Sequence, residues 1–192
     1  MDTPFHHGNL REALITAGTD LLNAHGIAGL TLRRAAARAG VSHAAPAHHF
    51  NGLPGLLTAI AARAFRQFCQ AMEQARDAAG PDAFARLDGI CQGYLAFSRD
   101  HAGLFHLMFV SNDVDRADPD LRDTSARAYL ILRDACRPFA QTGPTEDEAL
   151  ETAVWSLIHG YALLSFGQGL HRNIRQEPPF GKLLARLISG VP

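Results

Sequence analysis

Thr31-Leu32-Arg33-Arg34-Ala35-Ala36-Ala37-Arg38-Ala39-Gly40-Val41-Ser42-His43-Ala44-Ala45-Pro46-Ala47-His48-His49-Phe50 is the stretch on which the reading of this chain turns. Thr31 is a good N-cap, because its hydroxyl can accept from an unpaired N–H of the first turn, so a short helix is expected over 32–39. Gly40-Val41-Ser42 reads as a tight turn. Within Ala36-x-x-x-Gly40, the alanine puts a small side chain where two helices cross. The glycine stands where the turn needs a positive φ. Ser42 is expected to cap a third short helix running to about His49. Two short helices joined this way form a helix-turn-helix, whose second member enters the major groove by its N-terminal end. An ordinary helical hairpin would share the pattern.

Pro46 disturbs that picture. If Ser42 is the cap, residue 46 is the first whose N–H should bond back into the helix, and proline has none. Either the helix starts later, near Ala45, or its first turn is tight and irregular.

Working outward, helical spacing recurs everywhere and strand-like alternation persists nowhere. Upstream, Asn9 and Glu12 form a capping pair ahead of the stripe Leu10, Leu14, Ala17 and Leu21, and Gly26 ends that helix. Gly18 inside it is a blemish of about 1 kcal/mol against alanine. Downstream, Pro54 opens a long helix reaching Gly80-Pro81, roughly 35–40 Å at 1.5 Å per residue. Leu87, Ile90, Cys91 and Tyr94 mark a fifth helix, and Leu104 to Phe109 a sixth. Asp118-Pro119 starts a seventh, with Leu121, Ala128, Tyr129, Leu132 and Cys136 on one side. Thr145 to Glu148 caps an eighth reaching about Gly167, and Pro178-Pro179 leads into a ninth. The expected fold is all-α, about nine helices, with a three-helix domain over 1–53 and a larger helical domain over 54–192.

Composition narrows the function. Of 192 residues, 47% are hydrophobic, enough for a sizeable core. No run approaches the roughly 18 apolar residues a membrane span needs, and the N-terminus lacks the pattern of a signal peptide. A cytoplasmic protein with no membrane partner is expected. The three cysteines are far apart and fit buried thiols better than disulfides or zinc. Net charge is −1, which argues against a chain that coats nucleic acid indiscriminately.

The stretch Ala35 to Ser42 continuing to His49-Phe50 and Leu56-Leu57, with the capped helix before it, resembles the DNA-binding domain of the tetracycline-repressor (TetR) family. Ser42-His43-Ala44-Ala45-Pro46, Leu107-Met108-Phe109 and Trp155-Ser156-Leu157-Ile158-His159-Gly160 look like the branch of that family with a WHG-type C-terminal domain. The resemblance covers most of the chain. It implies a homodimer on a palindromic double-stranded operator and a small-molecule effector bound in the C-terminal half.

Candidate DNA contacts are Thr31, Arg33, Arg34, Ser42, His43, Ala44, Ala45, His48 and His49. Helix N-termini and arginines suit phosphates. Histidines beside the recognition helix can donate to phosphates or base edges. Each has a plainer reading: solvated surface for Arg33 and Arg34, and closure of the domain against Phe50 for His49. Two departures weaken the resemblance, since Ala47 and Leu53 stand where most members carry a phosphate-touching tyrosine and lysine. Residues 1–55 carry four arginines against three acids, a net of +1. Modest affinity with a shallow salt dependence is therefore expected.

In the second half, Tyr94, Phe97, Phe105, Met108, Phe109 and Tyr129 are the candidate effector contacts, with ordinary core as the plainer reading of each. Few charges fall among them, which points to a mainly apolar ligand. The eighth helix is apolar on more than one side, so it has a face to spare for a second copy. Trp155, His159, Ala162 and Phe166, with Leu184 and Leu187 of the ninth helix, are the candidate dimer contacts. The acidic run Asp113-x-Asp115-x-x-Asp118 lacks the glycine and glutamate of a calcium loop. The histidines lack metal-ligand spacing, and no residue grouping suggests catalysis. No metal, cofactor or enzymatic activity is expected.

Two functions remain open at this point. One is a ligand-responsive transcriptional repressor. The other is a helical ligand- or partner-binding protein of the same fold that has lost DNA binding, a reading that Ala47, Leu53 and the low charge favour.

Overall fold

The computed structural model describes residues 10–140, 144–166 and 178–190, without the side chains of 144–147 and 166. Every regular element among them is helical: α1 (Leu10–His25), α2 (Leu32–Arg38), α3 (Gly52–Ala78), α4 (Ala83–Asp100), α5 (Ala102–Phe109), α6 (Pro119–Cys136), α7 (Pro144–Phe166) and α8 (Phe180–Ser189). Short 3-10 turns cover Ile27–Gly29, Ala45–His48 and Arg137–Phe139. The all-α class is as expected. The third helix is a single 3-10 turn, so eight α-helices stand where nine helices were read. Asn9, the expected first cap, lies outside the described residues. No described helix is long and apolar enough to cross a membrane.

The chain divides into two compact units, the first reaching residue 67 and including 101–125, the second holding 68–100 and 126 onward. Helices α3 and α6 each contribute residues to both units. The expected boundary at residue 53 falls in the first turn of α3, inside the first unit.

The first unit is built around α1 and the start of α3. Leu14, Ile15, Leu22, Leu56, Leu57 and Ile60 are essentially inaccessible. Gly18 has a purpose that sequence reading missed: a Cβ there would lie 2.8 Å from Ile60 Cδ1 and 3.5 Å from Leu56 Cδ2. The residue that weakens α1 as a helix thus admits α3. Arg63 of α3 ties down the same face of α1, donating to Thr16 Oγ1 at 2.9 Å, Thr19 Oγ1 at 2.6 Å and the Ile15 carbonyl at 3.2 Å. Further along, Thr58 Oγ1 accepts from the Asp115 N–H at 2.9 Å, holding the acidic loop against α3. Arg116 of that loop donates to the carbonyls of Met108, in α5, and Ser111.

In the second unit, α4 lies close against the end of α3. A Cβ on Gly93 would sit 2.5 Å from the Ala71 carbonyl oxygen, and one on Gly89 2.7 Å from that of Ala75. Such glycines, four apart on one helix face, let two backbones approach within a side chain's width. Phe68 packs edge-on against Tyr94 and Phe97, with ring centroids 4.8 and 5.3 Å away. Helix α7 packs on α4 and α8, burying Leu150, Val154, Ile158 and Ala162 at four-residue spacing. Cys69, Cys91 and Cys136 are buried, as expected. Burial raises their thiols, Cys69 to about 11 and Cys136 to about 12, so all stay protonated and inert at neutral pH.

Candidate nucleic-acid interface and sensing residues

The segment 31–50 begins as the sequence implied. Thr31, in extended conformation, accepts from the Arg34 N–H at 3.1 Å and caps α2. Ala35 and Ala36 are fully buried where α2 packs on α1. Gly40 takes φ +70°, in the left-handed region that alanine would resist. The Val41 N–H then closes the turn onto the Ala36 carbonyl at 3.0 Å.

Beyond the turn the expectation needs correcting. The third helix does not run from Ser42 to His49 with Ser42 as its cap. It is a 3-10 turn over Ala45–His48, whose cap position is Ala44 with no side-chain bond. The reason is Pro46. Lacking an N–H, it cannot bond the Ser42 carbonyl, which instead accepts from Ala45 at 3.1 Å, three residues on. Ala47 repeats the pattern onto the Ala44 carbonyl at 3.2 Å. The Pro46 ring is buried, and its carbonyl accepts from both His49 and Phe50, at 3.0 and 2.9 Å. Proline therefore both tightens the segment and anchors its far end.

Ser42, His43, Ala44 and His48 are exposed, as is Ala47; Ala45 and His49 are half-buried. The His49 ring lies 6.4 Å from that of Phe50, in keeping with a part in closing the domain. The arginines differ from one another. Arg34 donates to the Gly29 carbonyl. Arg38 is held by Asp20 through Nε and Nη2, at 3.1 and 2.9 Å. Arg11 stands 5.6 Å over the Phe50 ring, with Glu12 3.6 Å away. Arg33 is exposed and makes no ion pair among the described residues. The cationic field of this face is weaker than its arginine count suggests.

The six candidate effector residues fall into two groups. Tyr94 and Phe97 are core of the second unit around Phe68. Phe105 and Met108 are core of the first, with Phe109 against Phe65 at 5.3 Å and against Phe105 at 4.8 Å. Tyr129 was expected on the inward side of its helix but is 41% exposed. It sits one position past Ala128, off the buried row of Leu121, Ala128, Leu132 and Cys136. Its hydroxyl donates to Glu151, a carboxylate buried on α7, and its ring lies 6.3 Å from Trp155.

Tyr94 carries a further polar contact, its hydroxyl 2.6 Å from His159 Nδ1. Burial lowers the histidine and raises the phenol, so both are neutral at pH 7. Among the candidate dimer residues, Ala162 and Leu184 are wholly buried within the unit and have no surface to offer a second copy. Trp155, His159 and Leu187 are half-buried, and the side chain of Phe166 lies outside the described residues. Among the described side chains of α7, the apolar ones most exposed are Leu163 and Leu164, at 42% and 45%. Their signal was an adjacent leucine pair in the helix's last turns.

Residues 87–189 match the family model described as the tetracyclin repressor-like C-terminal domain. The chain belongs to the TetR family. No curated protein matches its sequence, but solved structures do. A Rhodococcus sp. RHA1 protein of unknown function is 27% identical over 99% of this chain and 97% of its own, with a TM-score of 0.78. A TetR family transcription regulator from Marinobacter aquaeolei VT8 superposes with a TM-score of 0.63 at 16% identity, covering 95% of each chain. The TetR-like regulator LfrR from Mycobacterium smegmatis, solved with proflavine, gives 0.60 at 20% identity, over 96% of this chain and 97% of its own. This TetR-family chain has the fold of a transcription regulator.

Proposed function

We propose that this protein is a homodimeric DNA-binding repressor, released from a palindromic operator by a small, mainly apolar effector. Residues 1–53 would form the reading head and 54–192 the sensing and pairing domain. One observation carries the reading. After a Thr31-capped helix and a left-handed Gly40 turn, the chain leaves Ser42, His43, Ala44 and His48 exposed within seven residues of one another. That is where a TetR-family head meets bases. Thr31, Arg33 and Arg34 would position the head on phosphates, Arg33 with its whole guanidinium and Arg34 with the donors not engaged by Gly29.

Effector release needs a path from the sensing residues to the head. Helix α3 supplies one, because it begins two residues beyond Phe50 and continues past Phe68 into the core around Tyr94. An effector that favours one arrangement of this helix shifts the dimer between operator-binding and released populations. The exposed leucines of α7, with Trp155, His159 and Leu187, are the surface proposed for pairing. The proflavine-bound relative supports a small-molecule effector.

A second reading, a TetR-fold protein silent toward DNA, is favoured by the engaged state of Arg34 and Arg38. Titration of the protein onto the DNA flanking its own gene, at two salt concentrations, decides between them. Saturable, competitor-resistant binding with a shallow salt slope is expected of the repressor. Absence of binding at low salt, in protein shown by mass spectrometry to carry no ligand, would establish the silent reading.

A further inference from the structure

The second unit contains a half-open cavity of about 530 Å³ lined by residues of the end of α3, the start of α4 and the second half of α6, with Pro81 and Pro138 beside them. It shares no lining residue with Tyr94, Phe97 or Tyr129. Its volume lies within the range of small-molecule sites. Its wall is of two kinds. Pro81, Ala83, Leu130, Ile131 and Pro138 make an apolar surface, and Leu130 is 40% exposed, a large apolar side chain left partly open to solvent. Around it stand Arg76, Arg86 and Arg127, with Glu73 and Asp134.

The charges do not cancel. Arg127 donates to both oxygens of Glu73, at 2.9 and 3.1 Å. Asp134 is already held by Arg133 and Arg137, at 3.1 and 2.8 Å. Asp77 accepts from Arg76 Nε at 2.8 Å and has Arg86 at 3.7 Å, the latter beyond hydrogen-bond reach. The cavity wall itself carries three guanidiniums against two carboxylates, an excess of one positive charge in a chain whose net charge is −1. Each guanidinium carries five N–H groups. Among the described residues the terminal nitrogens of Arg76 make no hydrogen bond, and neither does the guanidinium of Arg86, whose nearest carboxylate is Asp77 at 3.7 Å.

We propose that this cavity binds an amphipathic organic anion, its carboxylate received by Arg76 and Arg86 and its hydrocarbon body laid on Leu130, Ile131 and Pro138. Arginine suits the task because its planar fork meets a carboxylate through two parallel bonds. A purely apolar ligand would leave the excess charge unanswered, and a cation would be repelled. The site goes beyond the effector reading above, since it assigns a different place and a charged ligand class. It holds whether or not the protein binds DNA.

Calorimetric titration of the full chain with octanoate, octanol and octyltrimethylammonium tests it. Octanoate is expected to bind at one site per chain, at least tenfold tighter than octanol, with no cation binding at that site. Arg86→Gln should weaken octanoate about tenfold. Leu130→Glu should abolish its binding, because it sets a like charge on the apolar wall, and its melting temperature should stay near that of the parent since the side chain is already exposed. Equal affinities for octanoate and octanol would overturn the proposal. So would octanoate binding that neither substitution changes in folded protein.

Discussion

Residues 31–50 and the α3–α4 pair both bring backbone close to backbone, by different means. In the first, closeness is local. A cap, a left-handed glycine and a proline each act within five residues, and the bonds they organise lie near the surface. In the second it is remote: Gly89 and Gly93 meet the carbonyls of Ala75 and Ala71, some fourteen to twenty-two positions away in sequence. Local devices stabilise one turn each, and their loss is shared with solvent. A remote contact is surrounded by packed core, which cannot relax around an added atom.

The largest effect is therefore expected at Gly93. Gly93→Ala drives a methyl into the Ala71 carbonyl and should destabilise the fold by about 3 kcal/mol, the upper end of overpacking costs, as read from urea unfolding. A loss below about 1 kcal/mol would mean that α4 slides freely and the contrast is wrong. Next come the exposed histidines of the head. His43→Ala and His48→Ala should each weaken operator binding by about tenfold, near the lower end of a base contact, while the urea midpoint stays put. Unchanged affinity in both would remove them from the interface.

Thr31→Ala removes one cap and should cost about 1 kcal/mol, a third of the glycine effect. Parity between the two would erase the distinction between local and remote. Pro46→Ala sharpens the same contrast, because it restores the missing N–H. Carbon chemical shifts of residues 43–49 should move toward α-helix, and persistence of the 3-10 values would show that packing, not the absent donor, sets the conformation.

The smallest effect concerns pH. Burial holds His159 below its ordinary value of 6.5, so the unfolded chain takes up a proton there more readily than the folded one. The stability from its neutral ring is complete above pH 6.5 and is lost as pH falls from there through the lowered folded value. His159→Gln should flatten the decline of urea stability between pH 6.5 and 5 relative to the parent. An identical slope would place the acid sensitivity in other groups.

Much of this was legible in the residues. The all-helical class follows from apolar spacing, and Thr31, Gly26 and Gly40 announce their roles because caps and left-handed turns depend on neighbours in sequence. Pro46 announced trouble, though not its outcome, since a late start and a tight turn were equally open until the bonds of Ser42 and Ala44 were seen. Tyr129 was misplaced because helical spacing tolerates an error of one position, which turns a side chain by about 100°.

Gly18, Gly89 and Gly93 were not legible in the same way. A glycine in a helix reads as a weakness until the opposing helix is in place, and nothing near it in sequence names that partner. The pairing of Tyr94 with His159, 65 positions apart, and the excess of guanidiniums over carboxylates at one cavity belong to the same class. Sequence alone determined what depends on neighbours along the chain: the all-helical class, the Thr31 cap and the left-handed turn at Gly40. Only the tertiary structure decided which arginines are already engaged, which apolar side chains stay uncovered and where charge accumulates, because each of these depends on distances between residues far apart in the chain.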